Sequence, residues 1–281
     1  MENIKITADS ICDAPAALMQ KHGFTTLPLF INLGEECVLD GPDVPEKIYA
    51  FADKTKSTPK TAARSIQEFK EFFQKHLPAG GSLIHFNISS EASASYNNAV
   101  AAAKEVPGVY VIDSRLLSVG MTLLMLKAAH LRDAGLPVTE IVEQVKASIP
   151  HTHVSFIVKD LTYLHRGGRC SSTAKLLSVV LNIKPQIIMP DGKMYSGKKY
   201  MGNFDSCVKK YVKDTLETYT NPDLEYCFLI HTKLDNPQLV DEVRAQILAK
   251  YPFKQVIEAI PNGTVTSHCG PNTLGVMYVT K

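Results

Sequence analysis

Short β-type runs alternate with helix-period segments through the first 150 residues, and this alternation specifies repeated β-α-β units and a largely parallel sheet flanked by helices. Strands are expected at Ile4–Ala8, Thr25–Ile31, Ser82–Ile88 and Val109–Ile112. Between them, Ser65-Ile-Gln-Glu68 has the spacing of a capping box. Phe69, Phe72 and Phe73 follow on a helix that should stop near Pro78. Further helices are expected from near Ser93 to about Glu105, closed by Pro107-Gly108, and from about Leu116 to Ala134. Val138, Ile141, Val142, Val145 and Ile149 recur at helical spacing and predict another.

The texture changes after Pro150. Strands are expected at Val154–Lys159, Gln186–Pro190, Tyr226–His231, Gln255–Ile260 and Gly275–Thr280. Asp191-Gly192 carries a tight-turn signal between two antiparallel strands. Asn236-Pro237 should cap and open a helix running to about Lys250. A chain of 281 residues exceeds the usual single core, so the expected fold is α/β with two domains. Residues 1–150 would form an N-terminal parallel α/β sandwich, and residues 151–281 a C-terminal mixed or antiparallel sheet with helices.

Charge and cysteine usage narrow the function classes. Thirty basic and 28 acidic side chains give a net charge of +2, which lacks the electrostatic footprint of nucleic-acid or anionic-membrane binding. Acids at Glu2, Asp9 and Asp13 stand where a signal peptide would be basic and then apolar, and the Leu116–Leu126 run is too short to span a bilayer. A soluble cytoplasmic protein is expected. The six cysteines form no C-x-x-C pair, so zinc and thioredoxin chemistry both lack their spacing. His151-x-His153 would share a strand face only if extended, and has no third ligand. Cys269 beside His268 suggests a nucleophile, but neighbours on an extended chain face opposite ways.

Three segments hold candidate ligand groups. Ile88-Ser-Ser-Glu-Ala-Ser93 leaves a buried strand and enters a helix, where free amide groups and strand carboxyl ends favour an anion site; Ser93, or Ser90 before it, can equally cap its own helix. Thr61 lies in a polar, proline-bounded stretch and is either directed at the same crevice or surface decoration. His268 lies in a turn-like segment before the last strand, from which an imidazole can donate to a carboxylate. Gly167-Gly168-Arg169 is a flexible corner with an exposed cation. The G-x-x-x-x-G-K-[ST], G-x-G-x-x-G and G-x-S-x-G patterns are all absent.

Taken in order, these segments resemble the DegV family over essentially the whole chain. The resemblance rests on Thr7-Ala-Asp9-Ser10, Thr61 to Ser65, Ile88-Ser-Ser-x-x-Ser93 with Tyr96, and Val111-Ile-Asp113-Ser114-Arg115 with Ser118 and Gly120. It continues through Leu161-x-x-Leu164-x-x-Gly-Gly-Arg169, Asn182-Ile-Lys-Pro185 with Asp191-Gly192, and His268-Cys-Gly-Pro271. It implies a two-domain fold enclosing one long-chain fatty acid of the palmitate, stearate or oleate class. The carboxylate would be held by Thr61, Ser93 and His268, with Ala62, Ser90, Arg169 and Thr266 as supporting candidates. It further implies a non-catalytic carrier, without cofactor or metal and with only transient membrane contact, that presents the acid to the ATP-binding subunit of a fatty acid kinase. Departures from the family pattern fall at Ala62-Ala-Arg64, Glu91, Ala94, Asn272 and Lys198-Lys-Tyr200-Met201, where relatives carry an arginine; Thr61, Ser93 and His268 are retained. The competing readings are an acyl-transferring or hydrolytic enzyme using Ser93 and His268, and a sensory or assembly module with no small ligand.

Overall fold

The computed structural model describes residues 2–170 and 183–281. In chain order the strands are β1 (Ile4–Asp9), β2 (Thr25–Leu27), β3 (Phe30–Leu33), β4 (Glu36–Leu39), β5 (Lys60–Ala62), β6 (Ser82–Asn87) and β7 (Val109–Asp113). They continue with β8 (Thr152–His153), β9 (Ser155–Val158), β10 (Ile183–Ile188), β11 (Tyr195–Met201), β12 (Pro222–His231), β13 (Gln255–Ala259) and β14 (Thr273–Thr280). Among the described residues these strands make three sheets. The first is parallel, in the order β2-β1-β6-β7, and β6 is buried along its whole length, as a strand covered on both faces must be. The second is mixed, in the order β11-β10-β9-β14-β12-β13 with β8 on β14; only β12 and β13 run parallel. The α/β class read from the sequence is therefore the observed one.

The third sheet, β4-β3-β5, corrects the expectation of a single strand over Thr25–Ile31. Pro28 interrupts that run and cannot donate to a ladder, so β2 ends in the parallel sheet and the chain re-emerges as β3 in a small antiparallel one. The Ile66–His76 helix carries its full capping box: Glu68 N donates to Ser65 Oγ at 3.3 Å and Ser65 N donates to Glu68 Oε2 at 2.9 Å. Its Phe69 and Phe73 are fully buried. Other boundaries move for local reasons. The expected Leu116–Ala134 helix starts only at Val119, because Arg115 and Ser118 hold left-handed backbone at φ 55° and 53°. The Asn236-Pro237 helix starts at Leu239 without a side-chain cap, and Asn236 Nδ2 donates to Asp205 Oδ2 at 2.7 Å. Asp191-Gly192 does join antiparallel strands, but through a short 3₁₀ turn rather than a two-residue hairpin.

The Val119–Asp133 helix is apolar almost all round because it is the filling of a sandwich. One side packs on β1 and β6, the other on β8, β12 and β14. The largest core cluster accordingly runs from Ile6 and Ile84 through Leu124 to Phe156, Phe228 and Met277. Across the mixed sheet, the Phe204–Thr218 and Leu239–Lys250 helices cover a second core around Tyr211, Leu229 and Leu274. No helix among the described residues is long and apolar enough to cross a membrane.

Candidate functional site

Most of the ligand residues singled out in the sequence line one largely apolar cavity. Thr61, Ala62, Ser93, Arg169 and His268 all line it, among apolar walls that include Ile11, Leu29, Ile88, Leu117, Leu164 and Met194. Leu117, Val265 and Cys269 also line a smaller adjoining void, whose other walls include Phe156, Ile230 and Met277. These three residues are common walls of the two spaces, and the second is lined mainly by apolar side chains.

Thr61 lies in β5, paired to Ile31 of β3, and not in the surface loop its polar neighbours suggest. The register brings its Oγ1 to 2.9 Å from His268 Nε2, a contact across 207 residues of sequence. His268 belongs to the Gly263–Cys269 helix rather than to a turn, so His268 and Cys269 both reach the cavity instead of facing opposite ways. Burial, with a smaller push from the Arg169 cation, lowers the His268 imidazole to about 4, so the ring is neutral at neutral pH. Its Nδ1 is sealed from solvent with no partner among the described residues. Gly167 packs directly on that nitrogen, where a β-carbon would collide with it. This is a physical reason for glycine at the Gly167-Gly168-Arg169 corner.

Ser93 sits just before the Ser95–Ala103 helix, which starts two residues later than expected. The loop before it is tightened by Ala92 N and Ser93 N donating to Ser89 O at 2.9 and 3.2 Å. Ser93 Oγ accepts from Ser95 N at 3.2 Å in a local turn and is not the helix cap, which is Ala94 and makes no side-chain bond; Ser93 also lies on the cavity wall. Asp9, fully buried at the end of β1, fixes the loop from below by accepting from Asn87 Nδ2, Ile88 N and Ser95 Oγ at 3.1 to 3.2 Å. Arg169 follows the Thr162–Gly167 helix, whose carbonyls Leu164 and His165 are closed by Gly168 N at φ 68°. Its guanidinium donates to Gly167 O at 2.6 Å and meets no carboxylate among the described residues.

Two supporting candidates fall elsewhere. Ser90 is absent from the cavity lining because its hydroxyl and amide are both taken by Asp113, at 2.5 and 3.1 Å. Thr266 is fully buried on the far side of its helix, its Oγ1 donating to Pro261 O at 3.4 Å, and the lining threonine is Thr264 one position pair earlier. The helical period would have exposed this substitution had the segment been read as a helix. Cys269 is a wall rather than a nucleophile, its thiol pushed up to about 12 by burial. His151 lies in a 3₁₀ turn and His153 in β8, so the pair does not share a strand face; His153 stacks on Tyr219 with ring centroids 3.9 Å apart. Asn182, which opens the Asn-Ile-Lys-Pro185 motif, lies outside the described residues.

A three-sheet α/β fold whose hydroxyls, imidazole and cation line one largely apolar cavity defines an α/β protein with an amphipathic pocket. The chain belongs to the DegV family, described as "uncharacterised protein, DegV family", whose model matches residues 3–281. A DegV domain-containing protein of Caldanaerobacter subterraneus is 30% identical, with 100% of each chain covered. A protein of Thermotoga maritima described as a fatty acid-binding protein is 26% identical over 97% of this chain and 96% of its own. Among solved structures, a fatty-acid-binding DegV family protein of Thermus thermophilus superposes with a TM-score of 0.90 at 23% identity, covering 100% of both chains. The Streptococcus pneumoniae Fatty Acid Kinase B3 protein, loaded with linoleic acid, superposes with a TM-score of 0.84 at 20% identity, covering 99% of this chain and 100% of its own.

Proposed function

We propose that this chain is a cytoplasmic carrier that binds one long-chain fatty acid between its 1–150 and 151–281 halves and presents the carboxylate to the ATP-binding subunit of a fatty acid kinase. The observation that carries this reading is the meeting of Thr61 and His268 at 2.9 Å on the wall of an apolar cavity that Ser93 and Arg169 also line. A hydrocarbon tail entering the inner void gains about 0.8 kcal/mol per methylene buried. A carboxylate taken out of water costs several kcal/mol unless donors meet it, and Thr61, Ser93, His268 and the Arg169 cation supply them. Membership of a family that includes a Thermotoga maritima fatty acid-binding protein supports the ligand class, and the fold shared with a Fatty Acid Kinase B3 protein supports the partner.

The carrier reading is favoured over a serine hydrolase by the hydrogen bonds themselves. His268 Nε2 is paired with Thr61 rather than Ser93, and no carboxylate orients its Nδ1 among the described residues. Organic extraction and native mass spectrometry of the purified protein are expected to yield one noncovalent fatty acid of the palmitate, stearate or oleate class per chain. An empty protein that also ignores added palmitate and oleate would sink the proposal, and a covalent acyl-Ser93 would replace it with the enzyme reading. With a fatty acid kinase subunit and ATP, the loaded protein is expected to support acyl phosphate formation that neither protein gives alone.

A further inference from the structure

Two carboxylates that the head-group reading leaves unused meet the first turn of the helix carrying Thr264, Val265, His268 and Cys269. Asp13 and Asp40 are only 3% and 5% exposed, and no Lys, Arg or His lies within ion-pair distance of either among the described residues. Asn262 N donates to Asp13 Oδ1 at 2.7 Å, and Thr264 N donates to Asp40 Oδ1 at 2.9 Å. The second oxygen of each is held from the N-terminal half: Ser118 Oγ donates to Asp13 Oδ2 and Ser10 Oγ to Asp40 Oδ2, both at 2.5 Å. Asn262 Nδ2 adds a bond to Ser10 O at 3.0 Å.

A helix of seven residues is too short to hold its own geometry, and its first amides have no partner within it. Burying two carboxylates without a counter-ion is costly, and burial pushes both carboxyls above the usual carboxylate range. What they accept in return is main-chain donors of this one helix and two hydroxyls of the opposite half. The remaining freedom is closed by Gly263, where a β-carbon would lie 2.6 Å from Val44 Cγ1 and 2.7 Å from Ile31 Cδ1. His268 stands one helical turn beyond Thr264, so a slip of about 1 Å at the anchored turn carries its imidazole out of hydrogen-bond reach of Thr61.

We propose that Asp13 and Asp40 are positioning residues of the head-group site, clamping the first turn of the Gly263–Cys269 helix to the N-terminal half and so fixing His268 against Thr61. The proposal rests on the fatty-acid reading only for the ligand used to measure its effect. In D13A and D40A, palmitate affinity is expected to fall about tenfold, the loss of one hydrogen bond to a charged group. The imidazole ¹⁵N resonances of His268 in the ligand-free protein are expected to move in the same variants. D13N and D40N keep the accepting oxygen and should return both readouts toward wild type. Folded alanine variants with a lowered Tm but unchanged His268 resonances would reduce the two acids to stability alone and overturn the proposal. Should the alanine variants not fold, S118A and S10A loosen each carboxylate without removing it. Those variants are expected to lose about threefold in affinity with the same direction of resonance shift, and no shift in either would overturn the proposal. A wild-type protein that takes no palmitate would count against the fatty-acid reading, while the ligand-free His268 resonances still decide the clamp.

Discussion

At its outer end the cavity offers groups with hydrogen-bonding capacity to spare, whereas the adjoining inner void has polar neighbours but nothing left to give. Ser93 accepts one bond and donates none, and Arg169 donates only to Gly167 O among the described residues. On the inner side, Ser118 is committed to Asp13, Thr232 Oγ1 accepts from Thr273 N and also hydrogen-bonds the Tyr49 hydroxyl, and Thr273 Oγ1 donates to Cys269 O. His231 is occupied at both ring nitrogens, by Thr232 O at 2.9 Å and Glu258 Oε1 at 3.2 Å. The difference teaches that only unspent donors define a head-group site; a count of polar residues would have scored the two ends alike. On the proposed carrier reading, the donor-bearing end would recognise a chemical group and the adjoining void a volume.

The sharpest way to break this contrast is to enlarge a side chain on the wall the two spaces share. Val265 lines both spaces, so V265W should exclude a tail from the inner void while leaving the outer donors in place. Losing burial of about four methylenes costs about 3 kcal/mol, or roughly a hundredfold in palmitate affinity. Octanoate affinity should change by less than about threefold, since its short tail gains nothing from the inner void. Equal losses for both acids by titration calorimetry would show that the two spaces do not divide the ligand between them.

Truncating the outer donors comes next in size. H268A is expected to weaken palmitate binding by about 1–3 kcal/mol, and S93A by about 1 kcal/mol, because each removes a hydrogen bond to a charged group and leaves the tail untouched. The matching control is the ligand's own head: the methyl ester of palmitate should bind wild type and H268A alike. An H268A dissociation constant equal to that of wild type would remove His268 from the head group and leave the outer end defined by Ser93 and Arg169.

The same contrast explains what the sequence revealed. Ser93 was legible from the residues themselves because it follows a parallel strand toward a helix, where open sheets place ligands, whereas Thr61, His268 and Arg169 stood out chiefly through the family resemblance. Their order along the chain matched a family. Ser90 and Thr266 do not line the cavity because proximity in sequence does not say which way a side chain points; one turns to Asp113 and the other to Pro261. The inner void was invisible, since Phe156, Ile230 and Met277 look like any core residues until three strands and a helix leave a gap between them. The β4-β3-β5 sheet was missed because a four-residue strand next to Pro28 carries too little period to read, and the Val44–Thr55 and Phe204–Thr218 helices fell in stretches where no element was assigned.

The smallest expected effect is a pH dependence that belongs to the outer end alone. In the folded protein the His268 imidazole is held down to about 4, against an ordinary value near 6.5 in the unfolded chain. Between those values the unfolded state binds more protons, so the stability His268 contributes is present above about pH 6.5 and is lost as the pH falls toward 4. His153, also held at about 4, adds a loss of the same sign, while Asp13 and Asp40, raised by burial, act in the opposite sense and lose stability as the pH rises. The difference between wild type and H268N therefore isolates the site better than either curve by itself. A carboxylate placed beside Nε2 favours the imidazolium and raises the His268 pKa, so binding takes up a proton and palmitate affinity should increase from pH 7 to pH 5. The gain is felt only where the pH approaches or falls below the raised value, so it is concentrated toward pH 5, and H268N should be flat over the same range. Equal slopes for the two proteins would place the titrating group elsewhere and detach the imidazole from the ligand's charge.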